Sequence, residues 1–319
     1  MPLDKSSWHR RVSVGDEKDR PLANRLEEYN AIFIQPVQEM SKSQELISDL
    51  EISKEAVWKY FRRFGIETNI MSFSSDDVVV CRDGKLRLTD KSGATSEHQV
   101  IASSGEDGKI YISDQITHSS ARILVFAHEL THKCAINREH IPRFRTTNDH
   151  GEEQAISWQK SGYTSSGMFI EEQLETKPIF HGFNEAVTTE IQFRALRESL
   201  PPDVDSNDFE RFATRAGGYE REREVLRYIL SGVAMKMGIK NEDFWNQIVH
   251  GYVSGGKMFL RRIESTFGKE SLDVLARMQP IMDRHNYQAE RDVFLEYFKE
   301  TTSPERRMEI AAEITSSPR

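Results

Sequence analysis

The segment Ile123 to Asn137, ILVFAHELTHKCAIN, contains two histidines four residues apart and a glutamate directly after the first. On an α-helix, residues four apart lie on the same face, so His128 and His132 can direct two imidazoles at one metal ion. Glu129 lies about 100° further round such a helix, where it can reach a water molecule without binding the metal. Apolar residues recur through the segment at helical spacing. The H-E-x-x-H pattern therefore predicts a helix that carries two zinc ligands and, in Glu129, a general base.

The composition is typical of a globular protein, with 319 residues and 37% hydrophobic content. Acidic residues outnumber basic ones by 51 to 43, which gives a net charge of −8. Without a basic field or a lysine/arginine run, a nucleic-acid partner is not expected. No glycine-rich phosphate loop follows a predicted strand, so no nucleotide cofactor is expected either.

The sequence also bears on the cellular compartment. No apolar run approaches the roughly 18 residues of a membrane span, and the first residues lack the apolar core of a signal peptide. We therefore expect a cytoplasmic protein with no membrane partner. The two cysteines, Cys81 and Cys134, lie inside predicted core elements and are expected to be buried thiols.

The spacing of apolar residues changes along the chain. Residues 1 to about 20 are polar and are expected to form a flexible arm, and helical periodicity follows up to residue 66. From about residue 69 the period is two, and Asp83-Gly84 and Asp107-Gly108 predict two hairpins. A small, mostly antiparallel sheet is thus expected before the metal helix. An edge strand of such a sheet can bind an extended peptide through backbone hydrogen bonds.

The third metal ligand does not come from the metzincin continuation, H-E-x-x-H-x-x-G-x-x-H. Ala135 and Arg138 stand where that pattern requires a glycine and a histidine. The segment HGFNEAVTTE, which opens a second predicted amphipathic helix, offers Glu185 in its first turn. His140, His150 and His181 remain alternatives.

The two motifs VFAHELTHKC and GFNEAVTTE together resemble those of the gluzincin metallopeptidases, which include thermolysin and the compact bacterial minigluzincins. The resemblance implies that His128, His132 and Glu185 bind Zn²⁺ and that Glu129 is the general base. It also implies an α+β, zincin-like fold.

The resemblance covers roughly residues 69 to 200 and suggests a division of the chain. Residues 1–66 would hold the flexible arm and N-terminal helices, 67–200 the zincin catalytic core, and 201–319 a mainly helical C-terminal subdomain. Within the last region, residues from about Thr301 onward have weak apolar content and are expected to form a partly ordered tail.

The two motifs do not identify two further groups: the acceptor that orients a metal-binding imidazole and the donor that stabilises the oxyanion. Relatives usually carry a carboxylate four residues after the third ligand, which accepts a hydrogen bond from a metal-binding imidazole, but this chain has Thr189 there. Relatives also place a Tyr or His after the third ligand to stabilise the oxyanion. Tyr219, His250 and Tyr252 are the candidates for that role.

The sequence therefore predicts a zinc metallopeptidase that acts on a peptide or protein substrate. One variant of this hypothesis is a regulatory protease dedicated to a single protein partner. A hypothesis of another class is a zinc-binding interaction module whose catalysis has decayed, which the absence of a carboxylate at Thr189 favours. A zinc hydrolase acting on a non-peptide amide or ester is a further alternative.

Overall fold

The computed structural model describes residues 12–29, 33–89, 95–105, 107–141, 146–147, 153–169, 174–175, 178–199, 219–279 and 287–316. Within these ranges the fold is α+β. The helices are α1 (Arg20–Tyr29), α2 (Gln44–Arg63), α3 (Ser119–Cys134), α4 (His181–Ser199), α5 (Glu220–Met237), α6 (Asn241–Ser254), α7 (Met258–Phe267), α8 (Ser271–Arg277), α9 (Tyr287–Phe298) and α10 (Pro304–Ser316). The strands are β1 (Val12–Val14), β2 (Phe33–Pro36), β3 (Glu39–Met40), β4 (Val78–Cys81), β5 (Lys85–Thr89), β6 (Thr95–Gln99), β7 (Ala102–Ser104), β8 (Ile110–Ser113), β9 (Asn137–Ile141), β10 (Thr146–Thr147), β11 (Glu153–Gln154), β12 (Ile156–Ser161), β13 (Thr164–Phe169) and β14 (Leu174–Glu175).

Two small sheets are built from strands β2 to β8, which precede α3. One is antiparallel, in the order β2-β5-β6, and the other has the order β3-β4-β8-β7. Only the β4–β8 pair among these is parallel. The prediction of mostly antiparallel pairing before the metal helix is confirmed, although the strands form two sheets instead of one.

The hairpin predicted at Asp83-Gly84 is wrong. Strands β4 and β5 belong to different sheets, and the tight turn at 82–84 passes the chain from one sheet to the other. All four residues of β4 are buried, as are all four of β8, so pairing these two strands buries both faces of each. This long-range burial outweighs the local turn signal. The hairpin predicted around Asp107-Gly108 does form, because β7 pairs with β8 in antiparallel register.

The flexible arm predicted for residues 1 to about 20 is wrong from Val12 onward, and residues 1–11 lie outside the described ranges. Strand β1 pairs in parallel with β9, at the edge of a sheet with the order β1-β9-β12-β13-β14. Val12 packs there against Ala23 of α1 and against Ile141 and Ala155. These few apolar side chains suffice to anchor a segment that is otherwise polar.

The main core is helical and surrounds α3. Helix α2 packs against both α3 and α4, and α4 packs against α5. Trp245 of α6 donates its indole N–H to the hydroxyl of Tyr60 on α2 at 2.6 Å, which joins the C-terminal helices to the N-terminal part. The partly ordered tail predicted from Thr301 is wrong up to residue 316, because α10 forms there and buries Ile310 and Ala311.

Both cysteines are buried free thiols, as predicted. Burial raises the pKa of Cys81 to about 11 and that of Cys134 to about 12. Across the described part of the chain, no helix combines the length and apolar character needed to cross a membrane.

Candidate metal centre

Helix α3 places His128 and His132 one turn apart on the side of the helix that faces α4. The opposite side is fixed by apolar residues with almost no exposed surface, among them Phe126, Ala127 and Leu130. The two imidazole Nε2 atoms lie 3.1 Å apart. The helix therefore brings both nitrogens to one point, as the spacing in the sequence predicts.

Glu185 reaches the same point from the second turn of α4. Its Oε2 lies 3.2 Å from Nε2 of His128 and 3.4 Å from Nε2 of His132. Helix α4 is buried on all sides from Gly182 to Phe193, so the prediction of an amphipathic helix here is wrong. The helix lies between other helices, and this burial on every side fixes the Glu185 carboxylate.

Charge couples the three side chains. Burial opposes the charged form of His132, but attraction to the carboxylates of Glu185 and Glu129 outweighs it and raises the pKa of His132. Burial likewise opposes ionisation of Glu185, yet the two imidazoles hold the pKa of its carboxyl well below the usual range. Glu185 is therefore a carboxylate at neutral pH.

The donor set fits a metal ion. One ligand atom from each of His128, His132 and Glu185 lies within 4.8 Å of the other two. Two imidazole nitrogens and a carboxylate oxygen form a triangle that a single proton cannot bridge on all sides, whereas a cation at its centre satisfies all three lone pairs. This buried group can hold a metal ion.

Glu129 follows His128 on α3 and is nearly buried. The hydroxyl of Ser104, at the end of edge strand β7, donates a hydrogen bond of 2.7 Å to Oε2 of Glu129. Lys133, one turn further along α3, donates to the carbonyl of Gly105 at 3.0 Å. The end of β7 is thus attached to the metal helix beside the triad, and Ser104 holds the carboxylate of Glu129 in place.

Gln192 is a site residue that the sequence analysis missed. Its Oε1 lies 3.2 Å from Nδ1 of His128, and its Nε2 donates to the backbone carbonyl of Leu124 at 2.8 Å. Because the Leu124 carbonyl can only accept, it orients the amide so that Oε1 accepts the Nδ1 proton of His128. The Nε2 lone pair of His128 is then directed at the metal position.

Thr189, which stands where relatives usually carry a carboxylate, does not accept a hydrogen bond from His128 or His132. Its hydroxyl is buried and has no hydrogen-bond partner among the described residues. Gln192 lies seven residues after Glu185, two helical turns along the same face, so helical spacing alone places it on the side of α4 that carries the ligand.

Tyr219 is close to the triad. Its ring stacks on that of His128, with centroids 5.8 Å apart and an angle of 17° between the planes. Burial, followed by the charges of Glu185 and Glu129, raises the pKa of Tyr219 well above its usual value, so its hydroxyl remains a hydrogen-bond donor. The residue has a positive φ of 46° directly before α5, a strained conformation for a tyrosine.

The other two oxyanion candidates lie elsewhere. His250 is exposed on α6, and its backbone carbonyl accepts a hydrogen bond from Ser254. Tyr252 is fully buried, and its hydroxyl lies 2.8 Å from that of Thr188. Tyr219 is the candidate that the structure brings to the triad.

Of the three histidines considered as alternative third ligands, the structure describes His140 and His181. His140 is exposed on β9, where its ring bonds the hydroxyl of Ser13 at 2.9 Å. His150 lies outside the described residues. His181 sits at the start of α4 with its Nε2 3.6 Å from Oε1 of Glu185, whereas the contacts of Glu185 with His128 and His132 are made by Oε2.

The chain matches no protein-family model, and no curated protein or solved structure is significantly similar to it. A functional proposal for this protein therefore depends on the geometry and chemistry of the site.

Proposed function

We propose that this protein is a zinc-dependent metallopeptidase of the gluzincin type, with a zincin-like core. The observation that carries the proposal is the convergence of His128, His132 and Glu185 on one point, with Glu129 beside it. Three metal ligands and a general base on two packed helices are the components that metal-assisted hydrolysis requires.

The ligand geometry supports zinc. Around a tetrahedral zinc ion, ligand atoms at about 2.0–2.1 Å from the metal lie about 3.3 Å from each other. The three atoms here are separated by 3.1, 3.2 and 3.4 Å. Imidazole nitrogens disfavour magnesium and calcium, which prefer oxygen ligands. Two neutral imidazoles and one carboxylate leave a net charge near +1 on a divalent ion.

A zinc ion held here would polarise the scissile carbonyl and lower the pKa of water. Glu129 would take the proton of the attacking water and deliver it to the leaving amine. The Ser104 hydroxyl orients this carboxylate from one side. Tyr219 would donate a hydrogen bond to the oxyanion, since its protonated hydroxyl lies beside the triad.

A peptide substrate is favoured by the position of β7. This strand is at the edge of its sheet in the order β3-β4-β8-β7, and its last residue, Ser104, contacts Glu129. An extended peptide that adds to the edge of β7 by backbone hydrogen bonds would pass beside the metal position. The backbone itself would then supply affinity for peptides over other amides.

The test combines metal content with peptide cleavage. Purified protein is expected to contain about one zinc per chain by elemental mass spectrometry and to cleave members of a peptide library, with products identified by mass spectrometry. Glu129→Gln should keep the zinc and lose cleavage. Glu55→Gln, which changes an exposed glutamate paired with Lys59 on α2, is the matched control. A fully active Glu129→Gln protein would refute the assignment.

A zinc-binding module without catalysis is the second candidate. The observation that favours it is the neutral partner of Nδ1 of His128, since the amide of Gln192 stands in for the usual carboxylate and Thr189 has no partner among the described residues. Bound zinc with no cleavage of any peptide would support this module. Cleavage confined to one co-purifying protein would instead indicate a protease dedicated to a single partner.

A further inference from the structure

The two oxygens of Glu185 face different partners. Oε2 faces the two imidazoles of α3, whereas Oε1 faces Nε2 of His181, one turn earlier on α4, at 3.6 Å. If both oxygens bound a metal, they would occupy the fourth position that a catalytic zinc site keeps open. A group that holds Oε1 away from the metal would therefore keep the fourth position free for water or substrate.

The start of α4, and with it His181, is fixed by the chain around it. Phe180 directly before the helix has a positive φ of 59°, which is strained for a residue with a side chain. Its backbone N–H donates to the carbonyl of Ala276 at 3.1 Å, and the N–H of Gly182 donates to that of Met278 at 2.8 Å. A Cβ on Gly182 would lie 2.7 Å from the same Met278 oxygen, so this close approach requires glycine.

The last turn of α8 and the residues that follow it also fix the start of α5, which Tyr219 directly precedes. The side chain of Gln279 donates to the carbonyl of Pro178 at 2.8 Å, and its backbone carbonyl accepts from Arg221 at 2.6 Å. Residues 276–279 thus contact two helix starts, each directly preceded by an aromatic residue with a positive φ. Phe180 precedes α4, whose first residue is His181, and Tyr219, whose own ring stacks on His128, precedes α5. Such strain persists only where the surrounding structure over-determines it.

We propose that His181 is a positioning residue whose Nε2–H donates a hydrogen bond to Oε1 of Glu185, so that the carboxylate binds the metal through Oε2 alone. The His181 side chain is 39% exposed, which leaves it room to close the gap from 3.6 Å to hydrogen-bond distance. This inference rests on the proposed zinc site, but it does not require that the site cleave peptides.

The test uses the full-length chain and Zn²⁺ as the probe. Zinc affinity is measured by competition with a chromophoric chelator for the native protein, His181→Leu and His181→Gln, and X-ray absorption gives the number of oxygen ligands. His181→Leu is expected to bind zinc about 10-fold more weakly and to gain a second carboxylate oxygen at the metal. His181→Gln, which keeps an N–H donor at similar reach, should restore most of the affinity. His98→Leu, at an exposed histidine on β6, is the control.

Equal zinc affinity in all three proteins would overturn the inference, and so would a loss that His181→Gln does not restore, since that points to ring packing. Thermal unfolding of the metal-free variants shows whether they fold. If the native protein binds no zinc, both the inference and the proposed function fail. If it binds zinc and cleaves peptides while His181→Leu behaves as native, only the inference fails.

Discussion

Replacing Gln192 with methionine tests how the site directs His128 toward a metal. Methionine has nearly the volume of glutamine, so the change removes the amide without opening a cavity. In the native protein, the amide oxygen accepts the Nδ1 proton of His128 and the amide nitrogen donates to the Leu124 carbonyl at 2.8 Å. The variant leaves both of these groups without that partner.

The expected change in zinc affinity depends on whether the lost hydrogen bond raises the free energy of the metal-bound state or of the metal-free state. In the metal-bound state the His128 proton must be on Nδ1, and a buried donor without an acceptor costs about 1–3 kcal/mol. In the metal-free state the imidazole can carry its proton on Nε2 instead and avoid that cost. The penalty therefore falls on metal binding, and since about 1.4 kcal/mol is tenfold, we expect zinc to bind about 10- to 100-fold more weakly.

Chelator competition at fixed pH measures this change, and Gln192→Glu provides a sharper comparison. A carboxylate usually strengthens such a site, but here one of its oxygens would face the Leu124 carbonyl, an acceptor that cannot donate. We therefore expect Gln192→Glu to bind zinc no more tightly than the native protein. Unchanged zinc affinity in Gln192→Met, or tighter binding in Gln192→Glu, would refute the assigned amide orientation.

Two further predictions concern the site, and a third concerns the buried carboxylate of Glu190 on α4, which pairs with Arg194 and Arg223. Ser104→Ala removes the hydrogen bond to Glu129, so the turnover rate should fall about tenfold at unchanged zinc content, measured by peptide cleavage and elemental mass spectrometry. Tyr219→Phe keeps the ring stack but loses the hydroxyl, so kcat should fall about 100-fold with a smaller change in KM; equal kcat would remove Tyr219 from the mechanism. Burial raises the pKa of the Glu190 carboxyl, but the charges and hydrogen bonds of Arg223 and Arg194 outweigh burial and lower this pKa below 4.5. The stability that this carboxylate contributes is present above about pH 4.5 and is lost as the pH falls toward the folded pKa, so Tm should decline less between pH 5 and 3 in Glu190→Gln than in the native protein.

The parts of the site that the sequence predicts are those set by spacing along one helix. His128 and His132 meet because four residues make about one turn of α3, and Glu129 follows from the same geometry. The convergence of Glu185 depends on how α4 packs against α3, which no local pattern encodes. Its prediction came from the resemblance of a second short motif, and the three ligand atoms do come within 4.8 Å of one another.

The fold shows the same division between local and long-range causes. The hairpin at Asp107-Gly108 forms because β8 pairs with β7 along one edge while its other edge pairs with β4. The hairpin at Asp83-Gly84 does not form, because β4 gains more burial by pairing with β8 than with β5. Likewise, the weak apolar content after Thr301 predicts a tail, yet α10 buries Ile310 and Ala311, and its Arg306 and Arg307 donate hydrogen bonds to Glu296 and to the backbone carbonyl of Tyr297. The apolar content of a segment therefore does not predict its order when polar contacts also hold the segment in place.

The residues that support the ligands were the hardest to predict. Gln192 contacts His128 across two helices, and His181 is related to Glu185 by one turn of α4 but gains its proposed role only from the direction of Oε1. A hydrogen-bond partner can come from any neighbouring residue with the right polar atom, so its identity follows from packing and not from a motif. Thr189 illustrates the point: the position that a motif singles out holds a buried hydroxyl with no partner among the described residues, while an amide one turn further on performs the role.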